Sequence, residues 1–77
     1  MKLFIKPGCP WCVDVERWLQ ENRYDYERVD VHSEPEGLDE MRRISGQTLA
    51  PTMQMPDGSV LADFGLPELK SFLGRSD

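Results

Sequence analysis

Long apolar runs are missing from this chain of 77 residues, and nothing in it approaches the roughly 20 residues that a membrane-spanning helix needs. The opening "MKLFIKPG" breaks its apolar stretch after Leu3, Phe4 and Ile5, too soon for a secretory leader. A basic excess is missing as well. Nine Lys and Arg, scattered along the chain, stand against fourteen Asp and Glu for a net charge of −5, which leaves no stripe for a nucleic-acid backbone. With one histidine and two cysteines, Cys and His alone cannot complete a four-ligand zinc site. Linkers, repeats and low-complexity tracts are absent too. These absences predict a single domain over residues 1–77, monomeric and cytoplasmic, with no metal, membrane or nucleic-acid partner.

What is present is ordinary globular material, 39% hydrophobic and 30% charged. The two cysteines, Cys9 and Cys12, could close only a tiny loop, so bridging them would do little to constrain the unfolded chain. The fold must rest on packing, which leaves the thiols free for chemistry. In a reducing compartment a disulfide is usually transient or catalytic.

"KLFI", Lys2 to Ile5, is a short apolar run stopped by Pro7-Gly8 and predicts a buried strand. From Pro10 to about Asn22, residues Val15, Trp18, Leu19 and Asn22 recur at helical spacing, with Asp14, Glu16, Arg17, Gln20 and Glu21 outward. Trp18 therefore reads as core. "YDYERVDV", Tyr24 to Val31, alternates as a second strand, and His32 after it reads as a solvated loop residue. "SEPE" resembles a capping box led by Ser33, followed by Leu38, Met41 and Ile44, weakened by Gly37 and stopped by Gly46. Pro51–Met55 and Ser59–Ala62 flank the turn signal Pro56-Asp57-Gly58 and predict a hairpin. Leu66–Leu73 predicts a last helix with Leu66, Leu69, Phe72 and Leu73 inward. The order β-α-β-α-β-β-α, with a right-handed crossover between the first two strands, makes the fold class α/β: a four-stranded mixed sheet with helices on both faces.

"KPGCPWC" puts Cys9 where a helix N-cap belongs and Pro10 at the first helical position. Unpaired N–H groups and the positive end of the helix dipole favour an anion there, so Cys9 is placed to react as a thiolate, with Lys6 as a second positive influence. Cys12 lies one turn on and deeper. That asymmetry predicts that Cys9 attacks and Cys12 resolves. The readings as half a zinc site or as two inert buried thiols weigh less, because ligands are too few and Pro7-Gly8 exposes the first thiol. Exposed beside it, Trp11 would give a substrate a flat apolar edge.

"LAPT", Leu49 to Thr52, precedes the third strand. Pro51 has no N–H for the sheet and marks the strand's start, either as an ordinary trans edge proline or with a cis Ala50–Pro51 bond that turns the Ala50 backbone outward beside Cys9. Taken together, "KPGCPWC", "DYERVDV", "SGQTLAPTM" and "ELKSFL" resemble the glutaredoxins, members of the thioredoxin superfold, over essentially the whole chain. The resemblance implies a cis-proline at Pro51 facing Cys9. It also implies a glutathione groove lined by Lys6, Trp11, the backbone at Ala50 and the start of the last helix, where Asp63 and Phe64 stand.

Two departures bear on that groove. Leu49-Ala50-Pro51 replaces the usual Thr-Val-Pro, and Leu61-Ala62-Asp63-Phe64-Gly65 lacks the usual glycine pair before the last helix. Asp63 then has two readings, as N-cap of that helix or as partner of glutathione's ammonium. The implied activity is a thiol–disulfide oxidoreductase acting on glutathione mixed disulfides or protein disulfides, with no tightly bound cofactor and glutathione as reductant. One alternative is a hydrogen donor reduced by thioredoxin reductase. Another is a dimeric carrier of an Fe–S cluster held by Cys9 and two glutathiones, a role that Pro10 disfavours.

Overall fold

A computed structural model describes residues 1–74; Arg75 to Asp77, the end of the expected domain, lie outside the described residues. Seven elements follow in the order β1 (Lys2–Ile5), α1 (Pro10–Glu21), β2 (Glu27–Asp30), α2 (Pro35–Ser45), β3 (Thr52–Gln54), β4 (Val60–Ala62) and α3 (Leu66–Phe72). The sheet order is β2-β1-β3-β4. β1 runs parallel to β2 and antiparallel to β3, and β4 runs antiparallel to β3.

Because β1 is central and covered on both faces, its apolar run has no polar alternation. Leu3 and Ile5 point to one face, where Cys12, Val15, Trp18 and Leu19 of α1 pack with Met53, Phe64 and Leu69. Phe4 points to the other, where it packs with Val29 of β2, Val31 just after it, and Met41 of α2. Each fully buried aliphatic or aromatic side chain here contributes about 1.5–3 kcal/mol. Among the described residues no helix is long and apolar enough to cross a membrane.

β3 and β4 are slightly shorter than the expected Pro51–Met55 and Ser59–Ala62, and β2 and α2 begin differently from their sequence expectation. β2 begins at Glu27 rather than Tyr24, because four-residue β1 sets its length: Lys2 pairs with Glu27 and Ile5 with Asp30. The preceding residues are still bound to the end of α1, through Tyr24 N–H to Leu19 O at 2.9 Å. Tyr24 stacks on Trp18 with ring centroids 5.6 Å apart, so its alternation reflects packing against a helix.

α2 is capped at Glu34, not Ser33, and without a side-chain cap bond. The Asp30 carboxylate organises that turn instead, accepting from His32 N at 2.9 Å and Ser33 N at 3.3 Å. Gly46 ends α2 in the left-handed region as expected, at φ 70°. Gly37 is no mere weakness: a Cβ there would lie 2.4 Å from Val29 Cγ1, so its absence lets α2 lie close on β2.

Candidate active site

The turn leaving β1 delivers Cys9 to the N-cap of α1 with Pro10 at the first helical position. Extended backbone at Cys9 (φ −94°, ψ 108°) turns its side chain back over the first turn, where Sγ accepts the Cys12 N–H at 3.1 Å. A sulfur thus fills the role usually taken by a Ser or Asp oxygen. Cys9 is half-buried and Cys12 only 2% exposed, and both are free thiols. Burial is the first cause that pushes the Cys12 thiol up to about 12, and the Cys9 side chain is the second. The pair therefore joins an accessible sulfur at a helix start to a sealed one held as a thiol.

The segment before β3 closes over this junction. Its Ala50–Pro51 bond is cis, and the Cys9 thiol points at Ala50 O, 3.8 Å away. The loop is braced from within. Thr52, buried completely, donates to Leu49 O at 2.8 Å and accepts from Gln47 Nε2 at 3.0 Å, while Gln47 Oε1 takes Leu49 N–H at 2.6 Å. Lys6 Nζ donates to Thr48 O at 2.6 Å, so the lysine also serves as a strut under this loop. Trp11 and Leu49 are each about half exposed, at 52% and 53%.

Asp63 and Phe64, the remaining expected groove residues, differ in placement. Asp63 does not cap α3. The cap is Gly65, whose N–H is taken by Glu68 Oε1 at 2.8 Å. Asp63 itself is exposed and held at φ 53°, a left-handed conformation in which glycine is the easier residue, with its N–H bonded to Pro51 O at 2.9 Å. Phe64 is 1% exposed and packed in the α1–α3 core, so its ring cannot line a groove; only its backbone could meet a ligand.

Two clefts join residues already named to others, such as Arg42 and Glu68, that were not singled out from the sequence. On the α2 side, Lys6, Val31, His32, Leu38, Arg42 and Thr48 line a cleft of about 360 Å³. On the α3 side, Trp11, Asp14, Gly65, Leu66, Pro67 and Glu68 line another of about 380 Å³. Both join residues far apart in sequence, and the only local signal was Glu68 three residues after Gly65, the spacing of a capping box.

Comparison with known proteins agrees with this geometry. Residues 1–56 match the family model described as Glutaredoxin. Over 75 residues the chain is 27% identical to an uncharacterized glutaredoxin-like 8.6 kDa protein in a rubredoxin operon of Clostridium pasteurianum, covering 97% of this chain and 99% of that one. Among solved structures, the thioredoxin-like protein BC3987 matches with TM-score 0.81 at 28% identity, covering 91% of this chain and 94% of its own. A mutant of the same protein matches with TM-score 0.83 at 29% identity, covering 94% and 96%. The family match takes in β1, the Cys9-Pro10-Trp11-Cys12 turn and the cis-proline loop, and the structural matches carry the likeness nearly end to end. This redox protein of thioredoxin-like fold belongs to the glutaredoxin family.

Proposed function

We propose that the protein is a thiol–disulfide oxidoreductase in which Cys9 is the nucleophile and Cys12 the resolving thiol. The observation that carries this reading is the inequality of the pair, with Cys9 half-buried and accepting the Cys12 N–H at 3.1 Å, and Cys12 sealed beneath it. The Cys9 thiolate attacks one sulfur of a disulfide, forming a mixed disulfide and releasing the other half as a thiolate. Cys12 then gives up its proton and attacks Cys9 Sγ, which closes the Cys9–Cys12 disulfide and expels the second substrate thiolate. Two electrons have passed to the substrate. Two glutathione molecules return them and leave as glutathione disulfide.

Several features support glutathione as co-substrate and as half of a mixed disulfide. The Lys6–Arg42 cleft offers positive charge for a carboxylate, Ala50 presents backbone beside Cys9, and Trp11 gives an apolar edge. A pair of variants tests the roles. Cys9→Ser abolishes all activity, whereas Cys12→Ser keeps deglutathionylation through release by a second glutathione. Equal loss from both overturns the assignment.

One observation favours a second electron source. The Gly65 N–H that an incoming carboxylate would seek at the start of α3 is already bonded to Glu68, which weakens the case for glutathione and favours reduction by a thioredoxin reductase. Steady-state turnover of one disulfide substrate, supplied in parallel with glutathione and with thioredoxin reductase, separates the two.

A further inference from the structure

The two clefts beside the thiol pair carry opposite charge. Lys6 and Arg42 stand in the α2-side cleft, Asp14 and Glu68 in the α3-side cleft. In the latter, one wall is the half-exposed Trp11 indole, with Asp14 one turn further along the same face of α1. Leu66, Pro67 and Glu68 in the first turn of α3 form the other wall. Gly65 brings the two walls together: a Cβ there would lie 3.9 Å from Trp11 Cδ2. Glu68 is held in place by its 2.8 Å bond from the Gly65 N–H.

An apolar slot with an indole face and two carboxylates matches one kind of side chain. Lysine and arginine lay an aliphatic stem on apolar surface and carry a cation at the tip. The indole face attracts that cation, and both carboxylates pair with it. A carboxylate in the same slot meets two like charges and a backbone N–H already in use.

We propose that the α3-side cleft is a recognition site for a basic side chain, lysine or arginine, borne by a protein disulfide partner close to the cysteine that Cys9 attacks. The proposal rests on Cys9 as the nucleophile and specifies the substrate class for that site: protein disulfides with a neighbouring basic residue, in preference to acidic ones.

The test uses two synthetic peptides that differ only in Lys or Glu beside a cysteine held as a mixed disulfide with 2-mercaptoethanol. With the intact protein first reduced to its dithiol and followed through a single turnover at low salt, the second-order rate constant for the Lys peptide exceeds that for the Glu peptide by about tenfold, as expected of partly exposed charges, and high salt shrinks the ratio. In Asp14→Asn/Glu68→Gln the ratio falls to near one. Because both substrates compete on the same protein, the ratio is insensitive to any loss of folded fraction, and the glutamine still offers an oxygen to Gly65 N–H. A Glu21→Gln/Glu36→Gln control makes the same change of net charge elsewhere and keeps the ratio. Equal rates for the two peptides, a ratio that survives the cleft variant, or one that collapses equally in the control would overturn the proposal. Failure of the wild-type protein to reduce the uncharged bis(2-hydroxyethyl) disulfide would instead overturn the Cys9 assignment on which it rests.

Discussion

Burial makes chemically different groups of two identical side chains three residues apart. Cys12, at 2% exposure, has its thiol pushed up to about 12, first by burial and then by Cys9, against an opposing backbone hydrogen bond from Lys6. In the proposed mixed disulfide Cys9 Sγ is bonded to substrate, so its contribution disappears while the burial contribution stays. Attack by Cys12 requires its thiolate. Closure of the Cys9–Cys12 disulfide therefore accelerates by up to about tenfold per pH unit between about pH 7 and 9. Rapid-quench trapping of the mixed disulfide measures this, and a plateau below about pH 8 would contradict it. The same raised value links to stability. Folded Cys12 holds its proton more tightly than the unfolded thiol, with its ordinary value of 9.0, so its contribution is fully present below that pH. It is lost as pH climbs from 9.0 to about 12, and denaturation midpoints across that range are flatter in Cys12→Ala.

Among the elements, α2 depends on one missing side chain. Gly37→Ala would gain up to about 1 kcal/mol of helix propensity. Its Cβ would also fall 2.4 Å from Val29 Cγ1, an overlap that costs about 1–3 kcal/mol in a packed interface. The clash prevails: urea denaturation finds Gly37→Ala less stable than wild type by about 1 kcal/mol. The Ala change costs less in a Val29→Ala background, and a stabilised Gly37→Ala protein would refute the close-approach reading. α2 is also tied to β1 by Lys2 Nζ to Glu40 Oε2 at 3.0 Å, which raises the lysine's proton affinity. This pair is partly exposed and contributes about 0.5–1 kcal/mol. The Glu40 hydrogen bond, first of its causes, acts only while Lys2 is charged, so its stabilisation is present below the ordinary lysine value of 10.5 and lost above it. Glu40→Gln lowers the denaturation midpoint slightly at neutral pH and much less in high salt.

In the whole molecule, four-residue β1 divides two cores, and neither side has stability to spare. A chain this long is stable by about 4–12 kcal/mol, and truncating a buried methionine costs about 2–5 kcal/mol. Met41→Ala, on the face opposite Cys12, therefore lowers the thermal midpoint and hastens alkylation of Cys12 together; unchanged alkylation would mean the faces unfold separately. How much of this could be read beforehand followed the range of the forces involved. β1 and α1 were legible because an uninterrupted apolar run and a Cys-Pro helix start are local signals. Tyr24 misled because half-burial against the end of α1 mimics strand alternation, and Ser33 because a capping-box pattern cannot reveal that Asp30 holds the turn. Phe64 was placed in the groove by likeness alone, whereas the core absorbs its ring, and Asp63 loses its cap reading to Gly65 while staying exposed. Arg42 and Glu68 went unassigned because their clefts exist only once distant segments meet. The two tryptophans divide along the same line, Trp11 half exposed beside the thiols and Trp18 nearly sealed against Tyr24. The molecule thus carries two built-in fluorescent reporters: substrate binding should disturb the long-wavelength emission of Trp11, and denaturant the short-wavelength emission of Trp18, so chemistry and unfolding can be followed in one cuvette without a label.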